Sequence, residues 1–396
     1  MVIILKSRNK EIIILSKEKY YNELAEKLDG TVFGLSVGEQ GNISETWMEY
    51  LKELIPEEDI KYIVKLNIYP FMMSIKRFAR KIDKLESEAK EILDRSFNND
   101  YVMRIHSKSK SKKFEYAIHL PFLLFDAPVL NFQTGYSNEK KEKIAKLSLK
   151  FLEEEGWYHN FEGGPKTPLS RIIPVQKSIP TQSKILPYEN VIQIIEDAKV
   201  LSLHECACRA RLQAVGRRKC TDKYPLETCI GVNQGGQYVI DRGKGREISK
   251  EEAKELLMEF NKLGLVHTTE NFQDGDHMIL CSCCSCCCNL IGGITKLGWD
   301  NPRAIASSNY IAEIFNPDEC TNCKICIAKC PFKAISSSIS GLIVINKEKC
   351  MGCGVCVVNC PSQVIKLKRL EREIIYKNQV ELGLKISQET NRKIKL

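Results

Sequence analysis

Cys320-x2-Cys323-x2-Cys326-x3-Cys330-Pro331 is followed about thirty residues on by Cys350-x2-Cys353-x2-Cys356-x3-Cys360-Pro361. The flanks repeat as well: Asn316 to Cys320 aligns with Asn346 to Cys350, and Cys330-Pro331-Phe332-Lys333-Ala334-Ile335 with Cys360-Pro361-Ser362-Gln363-Val364-Ile365. Two copies of one supersecondary unit imply two pseudo-symmetric halves. Three thiols at i, i+3 and i+6 wrap one face of a metal core in a single tight loop, while the fourth, followed by proline, starts a helix pointing the other way. Zinc closes with four ligands and has no use for an interlocked eight.

This spacing is the iron-sulfur ligand run of bacterial ferredoxins. Residues 312 to 368 resemble the bacterial-type ferredoxin that carries two 4Fe-4S clusters, with every ligand position filled. The resemblance implies a two-cluster ferredoxin-like domain that moves single electrons. It also implies crossed ligation, in which Cys320, Cys323, Cys326 and Cys360 hold one cluster and Cys350, Cys353, Cys356 and Cys330 the other.

The chain has 396 residues, room for two or three domains, so the repeat is an appendage on something larger. Its 18 cysteines would suggest disulfides only in a small exported chain. Lys6, Arg8, Lys10 and Glu11 split the N-terminal apolar runs, which argues against a signal peptide and for a reducing cytoplasm, that of an anaerobe. No stretch reaches the roughly 20 apolar residues of a membrane span. The nearest, Leu120 to Phe132, is interrupted by Asp126 and two prolines and reads as buried core or a subunit contact. The formal charge of +9 falls to roughly +5 with two oxidised clusters bound, each adding about −2. That suits docking to an acidic protein redox partner, and no nucleic acid is expected.

The organisation expected is α+β and multidomain. Residues 1–135 form a mixed α/β scaffold or partner-binding region, 136–188 a helix and proline-rich connector, and 189–300 a cysteine-rich α+β domain. The ferredoxin-like domain occupies 301–368 and a basic tail 369–396. In the first region, strands are expected at Val2–Leu5, Glu11–Leu15 and Thr31–Val37, and helices at Lys17–Leu28, Ser44–Leu54 and Asp83–Phe97, where apolar spacing is near 3.6. Ser107 to Lys113 reads as a charged loop. A helix is expected at Glu139–Glu155, and the prolines at 165, 168, 174, 180 and 187 bar helix from the connector. Ser249-x-x-Glu252 is a capping box opening a helix that Gly264 closes.

No cysteine precedes Cys206. Cys206, Cys208, Cys220 and Cys229 then supply four thiols among Arg209, Arg211, Arg217, Arg218 and Lys219, whose charges favour the thiolate that binds metal. These four are expected to converge on one ion or cluster, iron-sulfur or zinc. Further on, Cys281, Cys283, Cys284, Cys286, Cys287 and Cys288 fall within eight residues, to complete that site, hold a further cluster or provide a redox-active dithiol. Neighbouring residues of a strand point to opposite faces, so the run must bend. Residues 187 to 290 resemble a recurrent, functionally obscure cysteine-rich arrangement of anaerobic archaea and bacteria, on Cys206-Ala207-Cys208-Arg209, Glu227-Thr228-Cys229, Gly264-Leu265-Val266-His267 and the cysteine run. His204 and His267 lie near these thiols as structural residues or proton donors. No dinucleotide turn and no phosphate loop is present.

The function expected is iron-sulfur electron transfer, alone or as an oxidoreductase subunit, between a soluble partner, two clusters and the central thiols. The alternatives are a redox-responsive regulator, on the winged-helix-like pattern from Ser249 to His267, and a cluster carrier or assembly factor. Neither the substrate nor the oligomeric state is legible.

Overall fold

The computed structural model describes residues 18–31, 43–107, 110–130, 136–154, 166–174, 189–275, 277–298, 304–371 and 373–389. It is mixed helix and strand and divides into two compact units after Trp157.

The first unit surrounds an antiparallel sheet of three strands in the order Met73–Ser74, Lys110–Ile118, Val102–Ser107. Its helices include Glu45–Leu54, Glu86–Asn98, Pro121–Val129 and Asn138–Glu154. Ser44 opens the first of these by accepting a hydrogen bond from the Trp47 amide at 3.0 Å. Trp47 then packs with Phe125 and Phe151, ring centroids 5.0 and 5.8 Å away. Leu124, Phe125, Ala127 and Val129 are buried, so the apolar run from Leu120 is core.

Two local expectations change here. The helix expected from Asp83 starts at Glu86, because Asp83 adopts φ 53° and ends a preceding helix, Ile75–Ile82. The charged loop expected at Ser107 to Lys113 is largely hairpin, since one strand runs to Ser107 and its partner begins at Lys110. Alternating serine and lysine is a period-two pattern, and a strand satisfies it. The strands expected at Val2–Leu5 and Glu11–Leu15, and all but the first residue of Thr31–Val37, lie outside the described residues.

The second unit is built on seven strands. Their order is Ile305–Ala306, Ser170–Ile172, Val266–Glu270, Ile279–Cys283, Glu227–Val232, Leu201–Glu205, Gly245–Glu247, antiparallel except for the first pair. The sheet therefore takes its first two strands from beyond the span 189–300. Pro168 and Pro174 bracket one of them, while Pro165, Pro180 and Pro187 lie outside the described residues. Against the sheet lies the helix Lys250–Leu263. Ser249 caps it, accepting from the Glu252 amide at 3.1 Å, and Gly264 closes it at φ 103°. The other half of the expected capping box is replaced by an ion pair, because the Glu252 carboxylate turns to Arg246.

The cysteine repeat folds into two short antiparallel ribbons, Tyr310–Ile314 with Ile365–Arg369 and Ile335–Ser337 with Ile343–Ile345. Each copy adds a short helix, Ile325–Lys329 and Val355–Val358. Left-handed backbone recurs at matching places: Asn322 and Gly352, Lys324 and Gly354, Lys333 and Gln363. The repeat docks on the end of Lys250–Leu263, where the Asn359 side-chain amide donates to the Asn261 carbonyl at 3.1 Å. Lys329 reaches the Lys262 carbonyl beside it.

Candidate metal centre

Within the repeat, the charged neighbours of the Cys326 thiol are led by Cys323, Cys360 and Cys320. Those of Cys356 are led by Cys353, Cys350 and Cys330. The fourth cysteine of each copy thus lies with the trio of the other. The Cys320 group is the outer one: Cys323 is exposed, Cys320 and Cys360 partly so. The inner group lines a hollow whose walls are its four cysteines and apolar or glycine residues. Burial pushes the inner Cys353 and Cys356 thiols up, a cost that a bound cation removes. Backbone amides point at the sulfurs: Ala334 N–H to Cys330 at 3.3 Å and Ala312 N–H to Cys350 at 3.5 Å. Such donors stabilise thiolate charge.

The central cysteines are assembled by sheet register. Cys229 stands directly opposite Cys281. Cys283, two residues on, shares that face because strand side chains alternate. Cys206 stands just before the helix Ala207–Ala214, whose first turn brings Cys208 to the same place. The result is a closed circuit of thiol contacts: Cys206 to Cys208 and Cys229, Cys229 to Cys281, Cys281 to Cys283, Cys283 to Cys288, and Cys288 back to Cys208. Donation from Cys206 and Cys281 draws Cys229 down to about 6, and donation from Cys281 and Cys288 draws Cys283 down to about 5. Each sulfur touches two others. Yet no three of the six have their sulfurs all within 4.8 Å of one another, so the ring is open in the middle.

Cys220 belongs elsewhere, which corrects the expectation that it converges with Cys206, Cys208 and Cys229. It joins Cys284, Cys286 and Cys287 in a quartet whose sulfurs all lie within 4.8 Å of one another. The bend after Cys283 carries those three away from the strand face that forms the ring, and the turn holding Cys220 meets them there. The cysteine-dense run thus divides between two assemblies, with Cys281, Cys283 and Cys288 in one and Cys284, Cys286 and Cys287 in the other.

Arg209 ties the two together. It is fully buried, donates to the Ser282 carbonyl at 3.0 Å and to the Thr228 hydroxyl, and lies over the Tyr224 ring. Its foremost charged neighbours are Cys206, Cys284 and Cys229. A buried guanidinium needs an anion, and here sulfur is what faces it. Five cations near these cysteines looked equivalent in sequence. Only Arg209 and Arg211 are buried, and Arg211 acts on Cys208.

Both histidines hold structure. His267 is buried between the Leu257 carbonyl, 2.9 Å from Nε2, and the Ser282 hydroxyl, 3.0 Å from Nδ1. Burial lowers it to about 4, which keeps it neutral, with Nε2–H donating to Leu257. His204 Nδ1 lies 2.9 Å from the Glu205 carbonyl.

A family model described as a 4Fe-4S dicluster domain matches residues 319–379. No curated protein and no solved structure matches the chain. The C-terminal part of this chain is thus similar to ferredoxin-type iron-sulfur domains. Among the described residues no helix is long and apolar enough to cross a membrane.

Proposed function

We propose that this chain is an iron-sulfur electron-transfer protein, or the electron-carrying subunit of an oxidoreductase, in which the two thiol groups of the repeat and the central ring are successive stations. Cys320, Cys323, Cys326 and Cys360 would hold one 4Fe-4S cluster, Cys330, Cys350, Cys353 and Cys356 a second, and the six-thiol ring a further polynuclear iron-sulfur cluster. Such clusters supply reversible one-electron transfer when bound.

One observation carries this reading. Cys353 and Cys330 of the inner group share a single apolar core with Cys281, Cys283 and Cys288 of the ring, bridged by Phe332, Met351 and Val355. A core of this kind excludes water and fixes the separation between stations, which a flexible tether would not. The outer thiols meet solvent, where a protein redox partner can dock. Arg209 offsets negative charge at the ring, and amides at Ala312 and Ala334 do so at the inner group. The open centre of the ring suits a core larger than one ion. All 18 cysteines are free of disulfides, in keeping with a reducing compartment such as the cytoplasm.

The regulator reading finds less support. Helix Lys250–Leu263 turns Glu251, Glu255 and Glu259 to solvent, and that face repels phosphate. A carrier would surrender its iron to a chelator, whereas buried ring thiols would retain it.

Iron and acid-labile sulfide per chain after anaerobic purification test the proposal. Two 4Fe-4S clusters account for about eight of each. The proposal expects more sulfide than that in the native chain, falling to about eight in Cys229→Ala. A native count of about eight, unmoved by Cys229→Ala, would remove the ring from the account.

A further inference from the structure

We propose that Cys220, Cys284, Cys286 and Cys287 bind a single metal ion, zinc or iron, in a tetrahedral thiolate site distinct from the ring. This does not depend on what the ring holds.

The geometry is that of one ion. The contacts are 3.5 Å between Cys220 and Cys287, 3.6 Å between Cys284 and Cys286, and 3.6 Å between Cys286 and Cys287. A tetrahedron of thiolates on zinc, with Zn–S near 2.3 Å, has edges of about 3.8 Å. A disulfide would need about 2 Å. In a cubane each thiolate sits on a different iron, so its four sulfurs stand wider apart. The repeat supplies an internal standard: among the described residues no other set of three or more metal-ligating side chains closes to within 4.8 Å, the outer and inner groups included.

Closed backbone turns carry the four. Cys288 N–H closes a turn on the Cys284 carbonyl at 3.2 Å, and the Thr295 hydroxyl anchors that turn through the Ser285 carbonyl at 2.9 Å. Tyr224 N–H closes a second turn on the Cys220 carbonyl at 3.0 Å. Charge is matched as well. A divalent ion with four thiolates carries about −2, and two cations face the quartet, Arg209 at Cys284 and Lys223 at Cys286 and Cys220. Soft sulfur ligands in this geometry select zinc or iron. The ion would staple the Cys220 turn onto the 284–288 turn, whose flanking residues Cys283 and Cys288 belong to the ring.

The test uses the full chain, purified anaerobically, with zinc, iron and sulfide counted in the native protein and in Cys286→Ser and Cys220→Ala. Cys286 is exposed, so its replacement leaves the core packing intact. The expected result is the loss of about one metal ion per chain with sulfide unchanged, zinc or iron according to which count falls. X-ray absorption of the native protein at that metal's edge should show four sulfur neighbours and no nearby metal. Loss of iron and sulfide in equal numbers would place these thiols on a cluster and overturn the inference. So would variants that lose no metal. Failure of the ring proposal would appear separately, as a native sulfide count of about eight.

Discussion

The two halves of the repeat share one cysteine frame but stand in opposite surroundings. In the first, the loop Thr321 to Ile325 is exposed throughout; in the second, Met351 to Val355 is buried throughout. The backbone is the same in both, with left-handed residues at 322 and 352 and again at 324 and 354. What changes is the side chains: Thr321, Asn322 and Lys324 face water, while Met351, Gly352 and Gly354 let the second loop press into the core below. Identical ligand spacing can therefore make one surface group and one interior group. The packing side chains, not the cysteines, decide which group is buried.

Exchanging those side chains is the strongest way to break the comparison. A Cβ on Gly352 would stand 2.2 Å from both the Ser308 hydroxyl and the Tyr310 carbonyl, and at φ 67° few side chains are at ease. Gly352→Asn, which imports the residue of the matching outer position, should cost about 3 kcal/mol or more, seen as a fall in the thermal unfolding midpoint. The reverse exchange, Asn322→Gly, should cost well under about 1 kcal/mol.

Acid should weaken the platform on which the repeat docks, because His267 pins it. That imidazole sits near 4 when folded against an ordinary 6.5. Between those values the unfolded chain takes up a proton and the folded chain does not, so stability falls as pH drops from 6.5 to 4. The loss reaches at most about 3 kcal/mol and stops below pH 4. Denaturant titrations across this window should show the slope in the native protein and a flatter one in His267→Gln.

A smaller effect is expected where the repeat meets its platform. Asn359→Ala removes the hydrogen bond to the Asn261 carbonyl and should cost about 1 kcal/mol in the same titrations. Its counterpart in the outer half is Lys329, whose ammonium donates to Asn359 at 2.8 Å. Lys329→Met should cost less, because Lys329 is partly exposed and water replaces what it loses. The smallest change concerns order and not energy. Under a chelator, the outer group should lose its iron before the inner one.

Legibility followed distance along the chain. Eight cysteines at regular spacing declared the repeat, because each trio lies within seven residues and needs no tertiary information. The helix from Ser249 to Gly264 was equally plain, with both of its ends written in sequence. The central thiols were legible as a cysteine-rich cluster but not in their grouping. Cys220 stands between Cys208 and Cys229 in sequence yet joins Cys284, because the pairing of Cys229 with Cys281 and the bend after Cys283 decide the partners. Cys281-Ser282-Cys283 did carry a usable signal, since period two puts both sulfurs on one strand face. Burial of Arg209 carried none, for it is one cation among several until the sheet closes over it.

The central claim is that the inner group and the ring form adjoining stations. Electron paramagnetic resonance of the fully reduced protein tests this directly. The account predicts magnetic interaction beyond that of the outer and inner groups, present in the native chain and lost in Cys229→Ala while the repeat's own signals persist. A native spectrum indistinguishable from that of Cys229→Ala would contradict it.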